Sequence, residues 1–414
     1  MPVRIQVALE RMVHGGRALA RLADGRVALV AGGIPGERVA AEVEPVKGVL
    51  QGHVVEIEDP SPDRVQAPAH PGLDYGFIAY ARQLELKREV VEDALRRAGA
   101  GDGSVPALRP APAQWGYRSA VQPALTPRGL GYRHAGSHAV QVLDEDPVAS
   151  DALRAAWHVV AERAGSLAGV YEVALRGNDD GEALAALVTA RPERTLLSVA
   201  NEMVRSGVAG VAHAPYDPRG RFRRGSSRLA GARSILQRYG DAVLSVTATS
   251  FAQPNPAAAG ALYREALTWL DGGVHAWDLF AGAGAVAFHL AQRFETVTAV
   301  ELDRGSVARG ERDAERLGLA ERVRFVRADA RRAPLPADAG VIAVDPPRSG
   351  LAAPLRRQIV DSGVPRVLYI SCDPATWARD VAEFTGAGLR LLHAQPFDFY
   401  PHTHHVEVLS LLGR

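Results

Sequence analysis

The chain holds a single cysteine, Cys372, and its setting favours reactivity. Ser371-Cys372-Asp373-Pro374 ends an apolar run, Val367 to Ser371, and opens a stretch with helical spacing, Ala375 to Phe384. A thiol just ahead of a helix N-terminus meets free amides and the positive end of the helix dipole, which favour thiolate over thiol. Taken alone, a solitary cysteine is more often an inert core thiol, but a strand-end position in line with acidic residues at neighbouring strand ends points to a nucleophile. Such a thiolate could add to carbon 6 of a pyrimidine and so make carbon 5 able to take up a methyl group. A base must then remove the carbon 5 proton so that the cysteine can leave. Glu407, in Pro401-His402-Thr403-His404-His405-Val406-Glu407, is the candidate base. On an extended chain His405 would share a face with Glu407, and His402 with His404. The three histidines lack further ligands in register, so no metal site is expected.

The methyl donor needs its own pocket, and four strand ends carry suitable residues. Asp278-Leu279-Phe280-Ala281-Gly282-Ala283-Gly284 follows a strand and opens a helix, so its glycines let backbone approach a ligand. The longer glycine pattern of pyrophosphate binders would need glycine at 287, where the chain has Ala287, so a nucleoside without phosphates fits better. Glu301 ends the next strand, placed to accept from ribose hydroxyls, and Asp329 follows the third, placed to meet an adenine edge. Asp345-Pro346-Pro347-Arg348 ends the fourth, where two prolines stiffen a wall from which Asp345 projects. Any one of these acids could be a solvated loop carboxylate. The ordered set at successive strand ends argues against that.

The elements that must carry these residues form a regular α/β pattern from about Phe251. The expected strands are Ala276 to Phe280, Thr296 to Glu301, Val323 to Val326, Val341 to Val344 and Val367 to Ser371, separated by amphipathic helices. Leu389 to Ala394 and His405 to Leu412 would close one edge. Residues 3 to 58 read instead as an all-β barrel, with strands at Val3 to Leu9, Arg26 to Val30, Arg38 to Val43 and His53 to Ile57. A proline-punctuated linker then leads to a helix over Arg82 to Ala98, with Leu84, Val91 and Leu95 on its apolar side. The middle mixes strands, such as Ala183 to Val188 and Ala242 to Thr247, with a helix near Ala152 to Ala164. The expected domains are therefore 1–58, 59–250 (α+β) and 251–414.

Composition excludes several classes. One cysteine can build neither an internal disulfide nor a multi-thiolate metal site, and it fits a reducing cytoplasm. No uninterrupted apolar run reaches membrane-spanning length, and the first residues do not read as a secretion signal. The net charge of +1 hides an uneven distribution. From Arg205 to Arg238 eight arginines face one acid, Asp217, and from Arg109 to Leu143 four arginines stand with no acid, interleaved with Trp115, Tyr117 and Tyr132. Arginines neutralise phosphates while aromatic rings stack on unpaired bases, so RNA is the expected partner; solvated loops are the plainer alternative. No membrane and no obligate protein partner is inferred.

Together these motifs resemble the S-adenosylmethionine-dependent RNA 5-methyluridine methyltransferases along most of the chain. His14-Gly15-Gly16 and Pro35-Gly36-Glu37-Arg38 stand where that family's TRAM domain, an OB-like RNA-binding barrel, has its typical residues. Phe251-Ala252-Gln253-Pro254-Asn255 matches the Phe-x-Gln-x-Asn box, which implies that Gln253 contacts the methyl donor; Phe280, Glu301, Asp329 and Asp345 match the other donor positions. The boxes at 371–374 and 401–407 match the nucleophile and base boxes, which implies Cys372 and Glu407 in those roles. The resemblance implies a C-terminal Rossmann-like methyltransferase domain, S-adenosyl-L-methionine as donor, and ribosomal or transfer RNA as substrate. Many members hold an iron–sulfur cluster with four cysteines; the equivalent region, His70 to Tyr80 and Asp146-Pro147, has none, so no cluster is expected. Asp373 replaces an asparagine, His402 a glutamine, and Ala281 and Ala285 stand where cysteine and asparagine are common. The extra charge of Asp373 would oppose thiolate unless it caps the following helix or pairs with Arg348 or Arg379. The alternative reading is an RNA-binding or RNA-folding protein with weak or lost activity, against which Cys372 and Glu407 both stand.

Overall fold

The computed structural model describes residues 2–66, 68–101, 103–134, 136–333, 335 and 338–414. The chain forms two compact units. The first comprises Met1–Ala69, Leu73–Ala111 and Pro334–Arg414, and the second His70–Gly72 and Pro112–Ala333.

The first unit begins with β1 (Val3–Ala8), β2 (Arg11–Val13), β3 (Arg17–Arg21), β4 (Val27–Ala31), β5 (Arg38–Val46) and β6 (Val49–Asp59), ordered β1-β5-β6-β4-β3-β2 in one sheet. Four of these strands are legible in the sequence; β2 has only three residues, and β3 buries Ala18, Leu19 and Ala20 in a row, so neither shows an alternation. Inward residues recur every second position, as in β4, where Ala28 and Val30 are buried between half-buried neighbours. They meet Met12, Ile34, Val39 and Ala41 in one core. The helix α1 (Tyr80–Ala98) ends at Gly99, whose left-handed conformation lets its N–H turn back to the last turn of the helix. Its buried face differs from the expected one. Leu84 is only half-buried, whereas Gln83 and Lys87 are buried alongside Leu86, Val90, Val91 and Leu95.

The second unit opens with β7 (Ala120–Val121), β8 (Ala124–Thr126), β9 (Gly129–Arg133), β10 (Val140–Val142), α2 (Asp151–Ala161), β11 (Val170–Gly177), β12 (Ala183–Thr189), α3 (Leu197–Arg205), β13 (Gly210–Pro215) and β14 (Ser227–Gly231). These strands make an α+β layer ordered β10-β9-β8-β11-β12-β13-β14, with β7 also on β11. Leu153 and Trp157 of α2 and Met203 of α3 pack on Val173 and Leu187 of that sheet. A hairpin, β15 (Ile235–Tyr239) with β16 (Ala242–Val246), leads to α4 (Pro256–Thr268). Then follow β17 (Gly273–Leu279), α5 (Ala285–Leu290), β18 (Phe294–Glu301), α6 (Arg304–Arg316) and β19 (Val323–Arg327), the three strands parallel and ordered β19-β18-β17.

The chain re-enters the first unit with β20 (Val341–Val344), α7 (Ala353–Asp361), β21 (Arg366–Ser371), α8 (Pro374–Gly386), β22 (Arg390–Phe397) and β23 (Glu407–Gly413). Their order is β20-β21-β23-β22, with only β20 and β21 parallel. Asp373 caps α8 by accepting from the Thr376 N–H at 2.9 Å, and Pro374 supplies the fixed φ of a first helical residue. The helix packs against α1, and its Trp377 indole donates to Ser410 on β23 at 3.0 Å. Among the described residues no helix is long and apolar enough to cross a membrane.

Candidate active site

Asp345, Cys372 and Glu407 are brought together in the first unit by strand pairing. In the antiparallel pair β21–β23, Ser371 faces Val408, so Glu407 begins one strand where Cys372 leaves the other. The parallel pair β20–β21 sets the Asp345 segment on the opposite side of Cys372. This segment is tied to α8 at several points. Thr376 Oγ1 donates to the Arg348 carbonyl at 3.0 Å, Arg379 to the Ser349 carbonyl at 3.0 Å, and the Leu351 N–H to Asp380 at 2.7 Å. Gly350 sits at φ 70°, and a Cβ there would come within 2.6 Å of the Asp380 carboxylate, so glycine alone fits. Asp380 is itself fully buried and also accepts from Tyr369 at 2.7 Å and Arg356 at 2.9 Å. The loop and the nucleophile's helix are therefore one rigid piece.

The electrostatics differ from the sequence expectation at Cys372. Burial, then the Glu407 carboxyl, push the thiol up to about 12, with Asp345 and Asp373 adding to the effect and Arg348 opposing it. Burial and three converging carboxyl groups therefore act against the helix N-terminus at this half-buried sulfur. Glu407 is 2% exposed, and burial followed by the Asp345 charge raise its proton affinity well above the usual carboxylate range, Arg348 again opposing. Asp373 behaves differently. Burial favours its neutral form, but the His14 contact and the Thr376 amide hold it down at about 2. Its partner is neither Arg348 nor Arg379 but His14, 3.1 Å away.

The loop before Glu407 is not extended, so the expected alternation of histidines does not apply. His402 takes φ 67°, and each histidine has its own contact. The Gln83 side chain of α1 accepts from the His402 N–H at 2.8 Å and donates to its Nδ1 at 3.1 Å. His404 Nδ1 lies 2.5 Å from Asp74, and His405 Nε2 lies 3.5 Å from Arg348. Among the described residues no group of three His, Cys, Asp or Glu side chains could hold a metal ion. Lys87 of α1 donates to Asp398 at 2.7 Å and to the Tyr400 carbonyl at 3.1 Å, with both side chains of the ion pair fully buried. The sequence reading missed this clamp. Its signal was available, since Gln83 and Lys87 stand four apart on a helix face otherwise apolar.

Gln253, Phe280, Glu301 and Asp329 belong to the second unit. Phe280 and Gly282 adopt left-handed backbone at φ 65° and 55°, turning the chain sharply out of β17. Glu301 is fixed at the end of β18, one carboxylate oxygen accepting the Gly282 N–H at 2.9 Å and the other the Asp303 N–H at 2.7 Å. Each oxygen keeps a lone pair for a further donor. A Cβ built on Gly282 meets no described heavy atom within 4 Å, so open space lies beside the loop. That arrangement fits a nucleoside offering two hydroxyls. Asp329 ends the turn after β19, where Arg331 engages both its oxygens at 2.9 and 2.7 Å and holds its carboxyl at about 2. Gln253 lies just before α4, in a segment anchored by Arg176, which donates to the Ser250 carbonyl at 2.6 Å, and by Asn255, which caps the helix from Ala258 N–H at 3.1 Å.

The arginine-rich stretches of the second unit are partly self-compensated. Arg219 and Arg224 lie 2.9 and 3.4 Å from Asp217, and Arg133 and Arg221 lie 2.8 and 3.6 Å from Glu172. Of the three interleaved aromatics only Trp115 stays exposed, at 41%. Tyr117 is buried, and Tyr132 packs against His70 and Trp157 and donates to Asp146 at 2.5 Å, so neither ring is free to stack on a base.

Comparison with known proteins extends this description. The family model for tRNA (Uracil-5-)-methyltransferase matches residues 337–414, which contain Asp345, Cys372 and Glu407, and a general methyltransferase-domain model matches residues 277–343. An uncharacterized RNA methyltransferase of Halalkalibacterium halodurans is 30% identical, over 99% of this chain and 96% of its own length. The 23S rRNA (uracil(1939)-C(5))-methyltransferase of Halomonas elongata is 32% identical, over 99% of this chain and 89% of its own. The crystal structure of tRNA (uracil-54, C5)-methyltransferase from Pyrococcus abyssi, in complex with S-adenosyl-L-homocysteine, superposes with a TM-score of 0.82 at 23% identity, covering 99% of this chain and all of that one. The fold is thus the mixed α/β, Rossmann-like methyltransferase fold.

Proposed function

This chain belongs to the S-adenosylmethionine-dependent RNA uracil-C5 methyltransferase family, and from that premise we propose that it methylates carbon 5 of a uridine in ribosomal or transfer RNA through a covalent adduct of Cys372. S-adenosyl-L-methionine, when bound, supplies the methyl group as a sulfonium electrophile. Gln253, Phe280, Glu301, Asp329 and Asp345 are its proposed contacts, Glu301 taking the ribose hydroxyls.

Cys372 releases its proton to solvent and its sulfur bonds to carbon 6 of the uracil, moving the electron pair of the 5,6 double bond toward carbon 5 and the O4 enolate. Carbon 5, now nucleophilic, would take the methyl group as the methyl–sulfur bond breaks, the donor leaving as neutral S-adenosyl-L-homocysteine. Glu407 removes the remaining proton from carbon 5, the double bond re-forms, and Cys372 is expelled as thiolate. The observation that carries this reading is the register of β21 on β23, which sets the ends of Cys372's and Glu407's strands side by side. A buried carboxyl with raised proton affinity suits abstraction from carbon better than an exposed one. Residues 1–58 and 59–250 are proposed to hold the RNA in the cytoplasm, with the target base flipped from its stack.

RNA containing 5-fluorouridine tests the adduct, because fluorine at carbon 5 leaves no proton for Glu407. With labelled methyl donor, wild-type protein should accumulate an RNA–protein conjugate resistant to denaturation, and Cys372→Ala should form none. A conjugate that persists in Cys372→Ala sinks the nucleophile assignment. Nucleotide-resolution mapping of 5-methyluridine in a deletion strain decides between ribosomal and transfer RNA.

A further inference from the structure

One side chain of the N-terminal sheet reaches the nucleophile's own segment. His14 lies in the short turn between β2 and β3, whose register pairs Val13 with Arg17. Its Nε2 stands 3.1 Å from Oδ2 of Asp373, the residue next to Cys372, and its side chain is 49% exposed. The turn is held at its other end as well. Gly16 sits at φ 76° with no room for a Cβ, which would overlap the Asp74 carboxylate and the His404 side chain. Asp74 in turn accepts from the His404 N–H at 3.0 Å, so the turn is packed against the loop that leads to Glu407.

The carboxylate of Asp373 thus has two duties, one for each oxygen. Oδ1 accepts the Thr376 N–H and caps α8, while Oδ2 takes His14. A carboxylate beside a thiol opposes thiolate formation, and a cation placed on that carboxylate offsets the opposition. Asp373 is among the groups that raise Cys372, and His14 is itself raised above its ordinary value, chiefly by the hydrogen bond to Asp373, with burial and Arg348 working against it.

We propose that His14 is a positioning residue of the methyl transfer: it neutralises Asp373 beside the Cys372 thiol and fixes the first turn of α8, so that the N-terminal sheet is part of the catalytic centre and not only an RNA-binding module. The proposal rests on the covalent-cysteine reading above.

The test is a double-mutant cycle in the full chain, with His14→Ala, Asp373→Asn and the double variant. Two rates are read at pH 6.5: single-turnover methyl transfer to RNA, and modification of Cys372 by N-ethylmaleimide without RNA or donor. His14→Ala should lower both rates by about tenfold, as expected for one uncompensated charge close to a thiol, with KM for RNA little changed. In the Asp373→Asn background, where no charge needs offsetting, the same substitution should change either rate by less than about twofold. His14→Gln keeps a hydrogen-bond donor but not the charge; it guards against a folding defect and should slow both rates as His14→Ala does. Equal effects of His14→Ala in both backgrounds overturn the proposal, as does a change confined to KM, which would make His14 an RNA contact. If wild-type protein transfers no methyl group, the reading of the reaction fails, whereas the maleimide cycle still decides whether His14 acts through Asp373.

Discussion

A resting thiol near 12 makes a quantitative demand on Cys372. At pH 8 such a group is thiolate in only about one molecule in ten thousand, against roughly a quarter for an ordinary cysteine near 8.5. Thiolate population alone would slow alkylation by roughly three orders of magnitude, but a more basic thiolate is also a better nucleophile. With a Brønsted slope of about 0.4–0.5, the higher basicity recovers about one and a half orders, leaving Cys372 on the order of 30- to 100-fold slower than a free thiol. Iodoacetamide labelling of the free protein from pH 7 to 10, followed by mass spectrometry of the Cys372 peptide, reads this directly. The logarithm of the rate should climb by one for each pH unit without levelling. The slope separates ionisation from access, since a half-buried but already ionised sulfur would react slowly at a rate independent of pH. Glu407→Gln removes the largest charge contribution to the shift, and should raise the rate several-fold at the alkaline end of the range, where Glu407 is ionised. A plateau beginning below about pH 9 would show that the helix N-terminus outweighs the carboxyl groups, and the electrostatic account given above would be wrong.

Glu407→Gln should have a second consequence with ordinary uridine RNA: methyl transfer without release, so that a covalent RNA–protein conjugate builds up which wild-type protein does not accumulate; denaturing gel electrophoresis checks it. Lys87→Met leaves the fully buried Asp398 carboxylate without its 2.7 Å partner and should destabilise the first unit by about 3–5 kcal/mol in chemical denaturation. Adding Asp398→Leu should recover a large part of that loss, and a cost below about 1 kcal/mol for Lys87→Met alone would mean that the pair behaves like a surface ion pair. Glu301→Ala removes the proposed ribose acceptor and frees two amides; calorimetry should find affinity for S-adenosyl-L-methionine reduced by about tenfold or more, with RNA binding unchanged.

The parts of the molecule that were legible in the sequence are those whose signal is local and periodic. Strands β17 to β19 and β20 to β21 alternate with helices, and their motifs stand at strand ends, so Glu301, Asp329, Asp345 and Cys372 could be placed from the sequence. The misreadings have the opposite origin. The strand was expected from His405 and the alternation of the histidines supposed an extended chain; the segment instead turns at His402, whose N–H is held by Gln83, on a helix 319 positions earlier. Tyr117 and Tyr132 looked like stacking rings because arginines flank them, yet burial is set by partners far away in sequence, Trp157 and His70 among them. His14 could be seen as part of a turn, but its contact with Asp373 depends on where the N-terminal sheet folds back onto the C-terminal segment. The Cys372 thiol was misjudged for a related reason. A helix N-terminus is visible in sequence, whereas burial of the sulfur and the convergence of Glu407, Asp345 and Asp373 on it are not.

That convergence has a consequence for the order of proton movements. Glu407 and Cys372 are coupled, because the charge of one raises the proton affinity of the other. In the resting state the cluster lowers its energy by holding protons, which keeps the thiol neutral and spares it from adventitious electrophiles. Arg348, the cation that opposes the upward shift of both groups, sits on the rigid loop tied to α8, and so bears on Cys372 and Glu407 from a fixed place. Once sulfur bonds to carbon 6 it can no longer carry a negative charge, and its share of the repulsion on Glu407 disappears. Ionised Glu407 is therefore easiest to maintain after the adduct forms and hardest while free thiolate is present. The base is needed at carbon 5 only after methyl transfer, which is after the sulfur has been neutralised by bonding. Two acidic groups packed this closely would hinder each other if both had to be ionised at once; in the proposed reaction they act in turn.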